Sequence, residues 1–336
     1  MSEAAAPPKK SSPEAIVKAF QTDMKRVQDE IGKVIVGQEE IVLGTLTCII
    51  SNGNVLLEGV PGLGKTMLVR TIAQVMDLDF SRIQFTPDLQ PSDIIGTRMA
   101  VEDESGRLHF EFSQGPVFAN ILLADEINRA TPKTQSALLE AMAEKSVTVA
   151  DKTYKLDEPF FVMATQNPLE QEGTYPLPEA QLDRFLYKLL VPFPTLSELE
   201  LIMTRTTSGK MPEGQTVISK ARLLEMRDQV RSVEVAPPVM TYALKVLRAT
   251  HPDMDEATPA VKRYVRNGGS PRGAQTMVLT AKVLAMMDGR YHVAPEDIAR
   301  TARPSLRHRM ILNFEGEAEG VKSDDILDEI IKKTPR

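Results

Sequence analysis

Gly59-Val60-Pro61-Gly62-Leu63-Gly64-Lys65-Thr66 is the stretch on which the reading of this chain turns. The apolar run Val55-Leu56-Leu57 before it predicts a buried strand, and Met67-Leu68-Val69-Arg70-Thr71-Ile72-Ala73 after it predicts a helix. Strand, glycine-rich loop and helix form the context in which the pattern G-x-x-x-x-G-K-[ST] cradles phosphates. Gly62 and Gly64 let backbone N–H groups turn inward, and the new helix aims the positive end of its dipole at the same charge. Lys65 can reach the terminal phosphates, and the Thr66 hydroxyl can ligate Mg²⁺. Gly59, Pro61, Leu63 and Met67 complete the expected nucleotide-binding stretch, so ATP and Mg²⁺ are the expected cofactors. A chance turn between strand and helix is the plainer reading, and a second element argues against it.

That element is Ile121-Leu122-Leu123-Ala124-Asp125-Glu126, a continuous apolar strand ending in two acids. An aspartate there holds Mg²⁺ through its water shell, which makes Asp125 a metal candidate beside Thr66. The next acid, Glu126, can orient or deprotonate an attacking water. Without the metal, both carboxylates would repel a triphosphate. Two acids that merely cap a following helix are the alternative, weakened by the phosphate loop upstream.

Length and composition bound what these motifs can belong to. The 336 residues suffice for two domains of roughly 150 each. Hydrophobic residues make up 42% and charged residues 26%, enough for real cores. A net charge of −6 offers no global basic surface for nucleic acid or anionic lipid. The one cysteine, Cys48, excludes an internal disulfide and a multi-cysteine zinc site, and its apolar helical setting reads as core. No run approaches the roughly 18 apolar residues of a membrane span, and no signal-peptide core is evident. The expected setting is a reducing cytoplasm, without membrane insertion.

Residues 1–13 predict a disordered leader, 14–193 an α/β ATPase core and 194–336 a helical lid. Strands at Asn54–Glu58, Phe80–Phe85, Ile121–Glu126, Phe160–Thr165 and Tyr187–Val191 alternate with helices, which predicts a parallel three-layer αβα sheet. Two hairpins interrupt it at about 97–114 and 146–158, the first acidic at its tip (Glu102, Asp103, Glu104). Beyond Pro192 and Pro194 only helical periodicity is evident, with Asn313–Gly320 reading as loop. The methionines, Met286 and Met287 among them, read as lid core. His308, among Arg300, Arg303, Arg307 and Arg309, reads as part of a solvated basic helix face or of an interface with an acidic neighbour.

Taken in order, the phosphate loop, Asp125-Glu126, Asn167 at a later strand end and Arg184 before the last strand resemble AAA+ ATPases. Three runs are similar to the MoxR branch: Asp125-Glu126-Ile127-Asn128-Arg129-Ala130, Pro178-Glu179-Ala180-Gln181-Leu182-Asp183-Arg184-Phe185 and Gly268-Gly269-Ser270-Pro271-Arg272-Gly273. Both hairpins fall where that branch carries its helix-2 and pre-sensor insertions. The resemblance spans roughly residues 14 to 333 and shows no departure in the nucleotide motifs. It implies that Asn167 is a first sensor bonding the γ-phosphate or the lytic water. It implies that Arg184 is a finger offered to a neighbouring subunit's ATP, where a fixed guanidinium stabilises transition-state charge. Arg272 would be the second sensor, and Val36 and Gly37 would flank the adenine. For Arg129, contact with a neighbour and a plain surface role stay equally open.

The resemblance further implies an Mg²⁺-dependent ATP hydrolase working as a homo-oligomeric ring, a hexamer, that remodels or activates a protein client. Partners with von Willebrand factor A domains, in complex or metalloenzyme maturation, belong to the same expectation. A nucleic-acid motor is the rival reading; the negative charge and the acidic hairpin tip stand against it, and only Lys152 and Lys155 favour it. A chelatase-type subunit and an ATP-gated scaffold with little turnover are the remaining alternatives.

Overall fold

The computed structural model describes residues 12–168, 173–207, 209 and 212–336. The expected leader lies almost wholly outside them. The chain enters through α1 (Pro13–Val34), started by Ser12, whose hydroxyl accepts from the Ala15 N–H at 3.3 Å, with Pro13 at the first helical position. Val17, Phe20, Met24, Val27 and Ile31 recur every three or four residues and form its buried stripe. α2 (Glu39–Ile50) follows and is buried beyond its first turn, Cys48 included.

The next segment alternates strand and helix. It runs through β1 (Asn54–Glu58), α3 (Lys65–Val75), β2 (Phe80–Gln84) and α4 (Pro91–Ile95). The hairpin of β3 (Gly96–Glu102) and β4 (Leu108–Gln114) leads to β5 (Ile121–Asp125) and α5 (Pro132–Glu144). A second hairpin, β6 (Ser146–Val149) and β7 (Lys152–Lys155), precedes β8 (Phe161–Gln166), α6 (Glu179–Leu182) and β9 (Phe185–Leu190). Among the described residues, five strands form one parallel sheet in the order β2-β5-β8-β1-β9.

Successive side chains on these strands enter opposite cores. Val55, Leu57, Leu123 and Met163 face one, while Leu56, Leu122, Ala124 and Ala164 face the other. That is why the strands read as unbroken apolar runs. Because all five run the same way, the carboxyl ends of β1, β5 and β8 meet at one edge, bringing Glu58, Asp125 and Gln166 together. The last strand differs from expectation. It begins at Phe185, which is fully buried and opposite Asn54, so α6 stops at Leu182. The hairpins touch each other through Phe112 and Tyr154, stacked with ring centroids 4.2 Å apart.

The lid comprises α7 (Leu196–Thr207), α8 (Lys220–Arg231), α9 (Pro237–Arg248), α10 (Pro259–Tyr264), α11 (Pro271–Met287), α12 (Pro295–Leu306), α13 (Phe314–Ala318) and α14 (Ser323–Lys333). α11 is its spine, with Met277 and Met286 fully buried. Two features depart from the sequence reading: a short antiparallel pair, β10 (Val265–Asn267) with β11 (Ile311–Leu312), and α13 inside the stretch read as loop. Both are too short to carry a periodic signal.

The solvated basic face is also corrected. Arg307, His308 and Arg309 turn onto the outer edge of β9 and bond its backbone. Arg307 Nη1 donates to Lys188 O at 3.1 Å, His308 Nε2 to Phe185 O at 3.0 Å and Arg309 Nη1 to Leu186 O at 3.1 Å. Arg309 also donates to Asp183 Oδ1 at 2.7 Å and to Phe185 O at 2.8 Å. Strand-edge carbonyls that would otherwise lack partners are thereby satisfied. Arg300 and Arg303 do remain half exposed.

Candidate functional site

The phosphate loop leaves β1 and ends at Gly64, the N-cap of α3. Gly62 and Gly64 adopt φ of 85° and 75°, where a side chain is strained, while an added Cβ would meet nothing within 4 Å. Backbone conformation, and not space, therefore demands glycine at both positions. Lys65 Nζ donates to Gly59 O at 2.7 Å, and Gln38 Nε2 donates to Leu63 O at 3.0 Å, tying the loop to the α1–α2 junction. Burial pulls the Lys65 pKa below its ordinary value, with the charges of Asp125 and Glu126 opposing that shift.

Asp125 and Glu126 face the loop across a cavity of about 270 Å³, whose walls include Pro61, Gly62, Leu63, Gly64, Lys65, Thr66, Arg82, Gln84 and Asn167. The phosphate loop, the two acids and the first-sensor candidate thus share one space. Asp125 Oδ1 accepts from the Thr165 hydroxyl at 2.6 Å, and the same hydroxyl accepts from the Glu126 N–H at 2.8 Å. Asp125 Oδ2 accepts from Arg82 Nη2 at 2.7 Å. Glu126 sits at a left-handed φ of 54°, and its Oε2 accepts from Gln84 Nε2 at 2.7 Å and Arg129 Nη1 at 3.0 Å. Of the two readings left open for Arg129, the structure adds a third: an ion pair with the acid three residues before it.

The donor set suits Mg²⁺. Thr66 and Asp125 offer hard oxygen ligands beside the loop, and among the described residues no cluster of three or more His, Cys, Asp or Glu could cage a metal. An ion held by one or two protein oxygens, with phosphates and water completing its octahedron, is the usual Mg²⁺ arrangement.

An apolar cleft of about 440 Å³ adjoins the phosphate cavity and shares Gly62, Leu63 and Gly64 with it. Val36, Met67, Phe193, Leu199 and Ile202 line it, as a flat aromatic base requires. Val36 lies in this cleft. Gly37 does not line it; it sits at φ +64°, where a Cβ would collide with the Glu198 carboxylate.

Arg184 and Arg272 are elsewhere. They line a cavity of about 320 Å³ with Asn52, Asn54, Lys145, Asp183 and Arg309, at the amino end of β1. The phosphate loop leaves the carboxyl end of that strand, about 13 Å away along its axis. Arg184 Nη1 donates to Leu139 O at 3.1 Å, and Arg272 Nη1 lies 3.8 Å from Asp183 Oδ2. Desolvation takes the nearby Lys145 pKa down to about 8.

Four contributors escaped the sequence: Gln38, Arg82, Gln84 and Thr165. Alternation within β2 places Arg82 and Gln84 on one face, but only the pairing of β2 with β5 sets that face beside Asp125.

Comparison with known proteins agrees with this architecture. Residues 54–187 match the model of the ATPase family associated with various cellular activities (AAA), and residues 258–330 match an AAA lid domain. Chaperone MoxR1 of Mycobacterium tuberculosis is 41% identical over 92% of this chain and 81% of its own. Protein MoxR of Paracoccus denitrificans is 31% identical over 83% of this chain and 86% of its own. A crystal structure from Cytophaga hutchinsonii, described as a candidate ATPase, superposes with a TM-score of 0.89 at 44% identity, covering 96% of this chain and 97% of that one. With a parallel core, a helical lid and relatives matched over more than four-fifths of their length, the chain belongs to the MoxR family of AAA+ ATPases.

Proposed function

We propose that this protein hydrolyses ATP with Mg²⁺ at sites completed between subunits of a ring, and that it uses the cycle to remodel or activate a protein partner in a chaperone-like role. Within one subunit, the phosphate loop cradles the nucleotide, Lys65 neutralises developing charge and Glu126 orients the lytic water, with Asn167 beside it. Thr66 and Asp125 would hold the Mg²⁺, which would supply positive charge against the negative charge of the phosphates. Val36 borders the base. Arg184 and Arg272 act on the nucleotide of the next subunit. Partners carrying von Willebrand factor A domains follow from the family resemblance, as does the hexameric ring, and the cytoplasmic setting is the expectation drawn from the sequence itself.

The observation that supports assembly-dependent catalysis is the placement of both arginines at the opposite end of β1 from their own phosphate loop. Mixing two single variants tests it. Lys65→Ala cannot bind nucleotide productively, and Arg184→Ala offers no finger. Each alone is expected to hydrolyse ATP at least about a hundredfold more slowly than wild type. Mixed, they create interfaces with one intact loop facing one intact finger, and a fraction of the activity returns. Co-assembly of the two variants without recovered phosphate release would refute a finger acting in trans.

A further inference from the structure

Asp125 has no free oxygen in this structure. Oδ1 takes the Thr165 hydroxyl at 2.6 Å, and Oδ2 takes both Arg82 Nη2 at 2.7 Å and Arg82 Nε at 3.2 Å. The guanidinium reaches further: Nη2 also donates to Gln84 Oε1 at 2.7 Å, and Gln84 Nε2 donates to Glu126 Oε2 at 2.7 Å. One chain of bonds therefore runs Asp125–Arg82–Gln84–Glu126 across the ends of β5 and β2. Arg82 belongs to the sheet's edge strand, and its side chain is 44% exposed, so it has solvent to swing into.

The guanidinium bonds on Oδ2 take up lone pairs that the water shell of Mg²⁺ would use, and two cations at one carboxylate repel each other. We propose that Arg82 is the resident cation of Asp125 and that an arriving Mg-nucleotide must displace it. Arg82 is on this view a positioning residue that sets how readily the metal reaches Asp125. The proposal rests on the reading of Asp125 as a metal residue.

The test is a titration of free Mg²⁺ against binding of a fluorescent ADP analogue to the full chain, with parallel binding in EDTA. In Arg82→Gln the Mg²⁺ concentration at half-saturation is expected to fall about fivefold, a modest linkage between competing ligands and a larger factor than any change of affinity in EDTA. Arg82→Lys keeps a cation but not the fork, and should lie between wild type and Arg82→Gln. Gln84→Ala removes one partner of Arg82 and should shift the requirement the same way by a smaller factor. An unchanged Mg²⁺ requirement in Arg82→Gln would make the ion pair merely structural and overturn the proposal. A large loss of affinity in EDTA would do the same, by making Arg82 a phosphate ligand. Asp125→Asn separates the two levels of the argument. If it raises the requirement while Arg82→Gln does not, displacement fails and the metal reading stands. If it keeps the wild-type requirement, the metal reading falls and takes the proposal with it.

Discussion

Glu126 owes its position to its backbone as much as to its side chain. A left-handed φ at a non-glycine residue is costly, and here the Thr165 hydroxyl bonds its N–H while Gln84 and Arg129 fix its carboxylate. Glu126→Gln retains the shape of the side chain and removes its basicity. Nucleotide binding should remain near wild type and turnover should drop by about a hundredfold or more, measured as equilibrium binding beside steady-state phosphate release. Near-normal hydrolysis would reassign the acid. At this scale the sequence was legible where chemistry is local: loop glycines, Lys65, Thr66 and the acid pair each announce themselves within a few positions. Arg82 and Thr165 did not, because their meaning depends on which strands lie side by side. Nothing in Phe80–Gln84 says that its neighbour is β5.

Whole strands and helices were easier to read than the contacts that hold them. The alternation of buried runs and amphipathic helices called for a parallel sheet, and the sheet is parallel. The Arg307–Arg309 segment shows the limit of that reading, since charge suggested water while the edge of β9 supplied carbonyls. His308 is the sensitive member. Burial, with the Arg309 charge beside it, drives its pKa well below the usual histidine value of 6.5. The folded chain then binds fewer protons than the unfolded chain below pH 6.5, so stability must fall as pH drops through and below that value. His308→Gln keeps a donor for Phe185 O but does not titrate. Urea midpoints recorded between about pH 7 and pH 5 should fall less in the variant than in wild type. Parallel curves would place the acid sensitivity elsewhere.

For the molecule as a whole, a phosphate loop at one end of the sheet and paired arginines at the other give each subunit two unlike faces. In the proposed assembly these meet head to tail, a heterologous contact that closes only as a ring. Specific activity at saturating Mg-ATP should therefore climb with protein concentration until rings are complete, then level off; light scattering on the same samples should rise over the same range. A substantial rate that is flat across dilutions which demonstrably dissociate the protein would contradict shared sites. The covering of β9 by lid side chains bears on how such a protein can be cut and rejoined. With that border closed by residues more than a hundred positions downstream, the residues that build the sheet are not a portable cassette. Grafted alone onto another chain, they would carry an open flank able to zip onto any passing strand, so the catalytic half and its lid can be inherited, expressed or engineered only as a pair.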